Sequence, residues 1–144
     1  MARPTLQTEQ VADMLHGAAI RLLRYVRKAD ATSGVTGAQL SVLSVLAFGG
    51  PQTLSVLAQA EQVKPPTMSQ LVSGLEKLGL LTRRPLDRRS IELTITRKGQ
   101  RLLEAGRKRR LARLTRAIAT LPPEQVDKLA QAAGLMVAIT DPAL

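Results

Sequence analysis

The stretch from Leu75 to Gly99 constrains this chain more than any other. It reads Leu-Glu-Lys-Leu-Gly-Leu-Leu-Thr-Arg-Arg-Pro-Leu-Asp-Arg-Arg-Ser-Ile-Glu-Leu-Thr-Ile-Thr-Arg-Lys-Gly. A helix ends at Gly79, and a new helix opens at Thr96. Between them, Leu80 to Arg84 reads as a short strand. Ser90 to Ile95 alternates, with Ile91, Leu93 and Ile95 to one face and Ser90, Glu92 and Thr94 to the other. Pro85-Leu86-Asp87-Arg88-Arg89 joins the two as a basic hairpin loop. A rigid helix is thereby set beside a cationic, solvent-facing turn, a combination suited to gripping duplex DNA.

The charge distribution points the same way. From Arg83 to Arg116 the chain holds 13 Lys/Arg and 3 Asp/Glu, a net +10. The remainder holds 8 of each sign, so the whole net charge lies in this stretch. The chain has one Tyr, one Phe and no Trp. Single-strand binders stack bases on aromatic side chains. Tyr25 and Phe48 lie outside the basic stretch and make a poor platform. The charge therefore suits a duplex backbone better than unpaired bases.

Other classes are excluded by what is missing. Without cysteine there is no disulfide, zinc–thiolate site or thiol switch. The single histidine, His16, cannot supply a multi-histidine metal site. Glu9 and Asp13 are isolated carboxylates, and no serine has a His/Asp partner pattern. There is no phosphate-cradling glycine loop either. No catalytic grouping, metal site or cofactor is expected. No run reaches the ~18 apolar residues of a membrane span, and no secretion leader is visible. The expectation is one domain in a soluble cytoplasmic protein that acts on no membrane.

The rest of the chain is helical. Val11, Leu15, Ala18, Ala19, Leu22, Leu23 and Val26 form one stripe between about Leu6 and Lys28. Asp30 to Gly37 reads as a loop. Thr36-Gly-Ala-Gln39 has the spacing of a capping box and opens a helix carrying Leu40, Leu43, Leu46 and Ala47. Gly49-Gly50-Pro51 ends it. A shorter helix is expected from about Ser55 to Gln62, with Val56, Leu57 and Ala60 apolar. Pro65 suits a first helical turn. Met68, Leu71, Val72, Leu75 and Leu78 then face inward, leaving Thr67, Ser69, Gln70, Ser73 and Lys77 on the other side. After the hairpin, Thr96 caps a helix reaching about Thr120, roughly 36 Å long. Pro122-Pro123-Glu124 starts a last helix, with Val126, Leu129, Ala133, Met136 and Val137 on one face.

This order is a helix-turn-helix with a β-hairpin wing, and the sequence resembles the MarR family of winged-helix transcription regulators. Asp87-Arg88-Arg89-Ser90 matches the family's Asp-x-Arg wing. Ile95-Thr96-Arg97-Lys98-Gly99 matches the Leu-Thr-x-x-Gly that opens its dimerisation helix. Leu75-Glu76-Lys77-Leu78-Gly79-Leu80 matches the end of the recognition helix, which begins near Val63-Lys64-Pro65-Pro66-Thr67-Met68-Ser69. The resemblance implies a mainly α fold with a small β-hairpin wing. It implies one domain over residues 1–144, with the winged helix-turn-helix at about 36–96 and dimerisation helices at 1–35 and 97–144.

The implied DNA-binding residues are Pro66, Thr67, Ser69, Gln70, Ser73, Arg83, Arg84, Asp87, Arg88 and Arg89. Gln70 is the best candidate for a base contact, because its amide can pair bidentately with adenine. Arg89 is expected in the minor groove, its guanidinium held by Asp87. Arg83, Arg84 and Arg88 would meet phosphates. Arg107-Lys108-Arg109-Arg110, Arg113 and Arg116 wrap around their helix and read mainly as a solvated surface. His16, Arg24, Tyr25 and Phe48 could border a pocket for a small aromatic or amphipathic effector; ordinary packing or exposure is the plainer reading of each.

The first, fifth and last helices carry apolar stripes beyond what a winged domain of about 60 residues can cover. A homodimer would bury them and set two recognition helices ~34 Å apart on a near-palindromic site. The expected function is therefore a ligand-responsive, sequence-specific regulator, most simply a repressor. A sequence-neutral architectural DNA-binding protein would share the basic stretch and read no bases. An enzyme or a protein-interaction helical module whose positive charge serves an acidic partner is the third reading, and the missing catalytic grouping counts against the enzyme.

Overall fold

A computed structural model describes residues 6–141. Among these it forms six α-helices and three short strands. They are α1 (Leu6–Arg27), α2 (Gly37–Gly49), β1 (Gln52–Thr53), α3 (Leu54–Ala60), α4 (Pro65–Lys77), β2 (Leu81–Pro85), β3 (Ile91–Ile95), α5 (Arg97–Ile118) and α6 (Pro123–Thr140). A single 3-10 turn, Lys28–Asp30, follows α1. The mainly α architecture with a small antiparallel wing is the one expected. The chain divides into two compact units. One spans Arg27–Arg109; the other is built from α1 up to Val26 and the chain from Arg110 onward.

In the first unit, α2 begins as its capping box dictates. Thr36 Oγ1 accepts the Gln39 N–H at 3.1 Å, and Gln39 Oε1 accepts the Thr36 N–H at 3.0 Å. The core is assembled from Val42, Leu43 and Leu46 of α2, Leu57 and Ala58 of α3, and Met68, Val72 and Leu75 of α4. Leu80, Leu81 and Leu93 close it from the sheet side. Ten of these eleven residues have under 3 % of their surface exposed, so the unit has a dry interior of its own.

The sheet has strand order β1-β3-β2, antiparallel throughout. Leu81 pairs with Ile95 and Pro85 with Ile91, so Pro85 ends the strand instead of opening the loop. β1 was not foreseen. Its two residues are too few to show a period, and only pairing of Gln52 with Leu93 and Thr53 with Glu92 makes them a strand.

Two helices end by the same device. After α3, Gln62 takes a left-handed φ of 54°. Its N–H donates to the Gln59 carbonyl and that of Val63 to Ala58, a Schellman closure that stops α3 at Ala60. Of the helix's apolar residues Val56, Leu57 and Ala60, only Leu57 is buried, and Ala58 is buried beside it. After α4 the same pattern recurs with Gly79 at φ 72°. Gly79 N–H donates to Glu76 and Leu80 N–H to Leu75. The closure carries the chain off the helical path, so Leu80 fills the inward place expected of Leu78, which is 43 % exposed.

The second unit is different in kind. None of its described residues is buried. Val11, Met14, Leu135, Val137 and Ile139 are each more than half exposed. Its clearest internal contact is the Arg113 guanidinium stacked over the Tyr25 ring, 4.1 Å from the centroid.

Candidate nucleic-acid interface

α4 carries the candidate base-reading face. Pro65 and Pro66 occupy its first two positions with fixed φ. Neither has an N–H, so Thr67 is the first residue within the helix with a free backbone donor. Met68, Val72 and Leu75 anchor the helix in the core, which leaves Pro66, Thr67 and Gln70 exposed on the opposite side and Ser69 half-buried. Thr67 and Gln70 are three residues apart and so adjacent on the helix surface.

Ser73, also expected on this face, is turned to the protein. Its Oγ accepts a 2.7 Å hydrogen bond from Arg83 Nη2. Arg83 Nε lies 3.3 Å from Glu76 Oε2, a charge contact whose angle makes no hydrogen bond. Arg83 is thus held against α4 and not presented to solvent as the sequence suggested. Arg84 pairs across the strands with Glu92 at 2.8 Å, while its own side chain remains 71 % exposed.

The wing tip is organised by Asp87, though not in the way its spacing suggested. Oδ1 accepts the backbone N–H of Arg89 at 2.7 Å and of Ser90 at 2.8 Å. No ion pair joins Asp87 to the Arg89 guanidinium among the described residues. A short carboxylate reaches the N–H groups two and three residues on more readily than it reaches the end of a long side chain. The Arg89 N–H, then that of Ser90, holds the Asp87 carboxyl below the usual aspartate range. Leu86 N–H donates to the Ser90 carbonyl at 2.9 Å and closes the turn. Arg88 and Arg89 stand exposed with no ion-pair partner among the described residues.

Three further residues tie this surface together. Thr96 Oγ1 donates to the Gly79 carbonyl at 2.7 Å and accepts the Gly99 N–H at 3.1 Å. Lys98 Nζ donates to the Leu78 carbonyl at 2.8 Å, placing a cation at the negative end of α4. Glu76 holds Arg83. Lys98 and Glu76 carried no sequence signal for these roles, because their partners are 20 and 7 residues away. On α5, Arg109 Nε donates to the Ala29 carbonyl at 3.2 Å, so this cation serves structure.

The suggested effector residues are dispersed. His16 and Arg24 are exposed on α1, Tyr25 is half-buried under Arg113, and Phe48, at the end of α2, is 92 % exposed. An open hollow beside Tyr25 is floored by Met14, Ala18 and Leu22 and flanked by Asp13 and Arg21. No cluster of three metal-ligating side chains exists among the described residues, and no helix among them is long and apolar enough to cross a membrane.

Comparison with known proteins adds a lineage to this geometry. Residues 33–90, which run from before α2 through α3, α4 and β2 to the turn of the wing, match the model of the MarR family. An HTH-type transcriptional regulator of Mycobacterium tuberculosis is 35% identical over 134 residues, covering 92% of this chain and 94% of that protein. The HTH-type transcriptional repressor MdtR of Bacillus subtilis is 38% identical over 109 residues, covering 69% and 70%. A transcriptional regulator of Thermotoga maritima has the same fold, with a TM-score of 0.78 at 28% identity, covering 91% of this chain and 94% of that one.

Proposed function

The chain belongs to the MarR family of DNA-binding winged helix-turn-helix transcriptional regulators, and we propose that it acts as a homodimeric repressor on a pseudo-palindromic operator and releases it when a small ligand binds. The observation that carries this is the exposed pair Thr67 and Gln70 on α4, beside a wing whose Arg88 and Arg89 are exposed, their side chains with no ion-pair partner among the described residues. Gln70 reads a base edge in the major groove. Arg89 enters the adjacent minor groove, where a narrow groove concentrates negative potential. Arg88 and Arg84 meet phosphates, and Asp87 shapes the turn that presents them.

Dimerisation is supported by the second unit. Helices with no fully buried residue among those described, which expose Val11, Met14, Leu135, Val137 and Ile139, need a partner, and a two-fold copy supplies the matching surface. Repression is supported by the relative MdtR, named as a repressor. The hollow beside Tyr25, apolar with one charge of each sign at its edge, suits a small aromatic or amphipathic effector. A ligand there shifts the operator equilibrium only by its difference in affinity between the two states.

Footprinting on DNA flanking the protein's own gene tests the reading, together with affinity for scrambled duplex of equal length. A protected near-palindrome and a large preference over scrambled duplex are expected, with affinity falling steeply as salt rises. Equal affinity for both duplexes would leave a sequence-neutral DNA-coating protein instead.

A further inference from the structure

Of the four hairpin arginines, Arg83 alone bonds to α4. It stands on β2 opposite Leu93, whose side chain is buried in the core. Its Nη2 donates to Ser73 Oγ at 2.7 Å, and its buried Nε sits 3.3 Å from Glu76 Oε2. Ser73 and Glu76 are one turn apart on α4, so the planar guanidinium grips a whole helical turn from the wing. The side chain is only 24 % exposed. A cation so engaged is poorly placed to meet a phosphate.

We infer that Arg83 is a positioning residue, a strut that fixes the wing at one spacing from α4 and so sets how sharply the protein tells its operator from other DNA. The inference rests on the operator-reading function proposed above. α4 and the wing address different grooves of one duplex, and both engage only when their separation matches the groove spacing. A strut present before binding removes the ordering cost of finding that separation. Sequence-neutral attraction to phosphates needs no such match, so the strut acts on specificity and leaves the general affinity alone.

Arg83→Lys tests this directly. Lysine keeps the charge and loses the fork. Preference for operator over scrambled duplex should fall roughly five- to tenfold, the loss of a charge-assisted hydrogen bond. Affinity for scrambled duplex should stay within about twofold, and the salt slope should not move. A phosphate contact behaves otherwise: Lys would substitute for Arg, and Arg83→Gln would lower the slope by about one. Either result would overturn the strut. Glu76→Gln separates the two ideas by sign. Freeing Arg83 from its anion raises affinity for any duplex if the arginine seeks phosphate, and lowers operator preference if it is a strut. Ser73→Ala repeats the test with a smaller change.

Amide hydrogen exchange in the DNA-free Arg83→Lys protein supplies an arm independent of operator reading. Amides of Ser73–Lys77 and Thr82–Arg84 should exchange faster together, with protection at Val42 and Leu43 kept. Unchanged exchange would overturn the strut. A parent protein without operator preference would instead overturn the proposed function, and the exchange arm would still decide the strut.

Discussion

Thr96 joins the end of α4 to the start of α5 through one hydroxyl: its Oγ1 donates to the Gly79 carbonyl at 2.7 Å while accepting the Gly99 N–H at 3.1 Å. The same oxygen therefore satisfies an orphan donor at the head of α5 and an acceptor just past α4. Thr96→Val keeps the shape and removes both bonds. It should cost about 1–2 kcal/mol of stability, read as a lower midpoint in urea unfolding.

Gly99 is required at this junction by proximity. A Cβ there would run into the Leu80 carbonyl oxygen and the Ile95 side chain. The carbonyl is backbone already bonded to the Thr96 N–H and cannot swing away. Gly99→Ala should therefore destabilise, by roughly 1–3 kcal/mol as an overpacked contact, despite its better helix propensity. Unfolding at or above the parent's denaturant midpoint would show that the α5 start can shift freely.

Gln62 stands where Gly79 stands in the next helix, at a left-handed φ that favours glycine. Gln62→Gly relieves that strain and keeps both Schellman bonds, which use backbone only. A gain of about 0.5–1 kcal/mol is expected, reduced by the added freedom of the unfolded chain. Calorimetry should show a higher Tm; a lower one would mean the unfolded-chain effect dominates.

The Asp87 carboxylate is held below 3.8, the ordinary aspartate value, first by the Arg89 N–H and then by that of Ser90. A depressed folded value means the turn gains from ionisation above the unfolded value and loses that gain as pH falls through the folded one. Carboxyl NMR titration should give Asp87 a lower midpoint in the folded protein than in urea. Coincident midpoints would mean the two N–H bonds do not persist in solution.

Arg89→Ala should weaken DNA binding while leaving the unfolding midpoint within about 0.5 kcal/mol of the parent, because the side chain is exposed. Gln70→Ala should relax discrimination at one or two base pairs by about 1–3 kcal/mol. Competition binding against single-base operator variants measures both. An Arg89→Ala protein as tight as the parent would remove the wing tip from the mechanism.

Much of this architecture was legible in the chain because its signals are local. The Thr36–Gln39 capping box, the stop at Gly79, the alternation of Ile91, Leu93 and Ile95 and the stripe of Met68, Val72 and Leu75 each depend on residues a few positions apart. Such patterns survive being read without a fold. Tertiary structure alone decided the partners. It paired β1 with β3, gave Arg83 to Ser73 and Glu76, turned Asp87 to backbone N–H groups, moved the inward role from Leu78 to Leu80, and set Lys98 on the Leu78 carbonyl. A charged or polar side chain has several chemically acceptable partners within reach of an unfolded chain. Which one it meets is settled by the approach of distant segments, driven by burial of the apolar faces, and no spacing in the sequence encodes that approach.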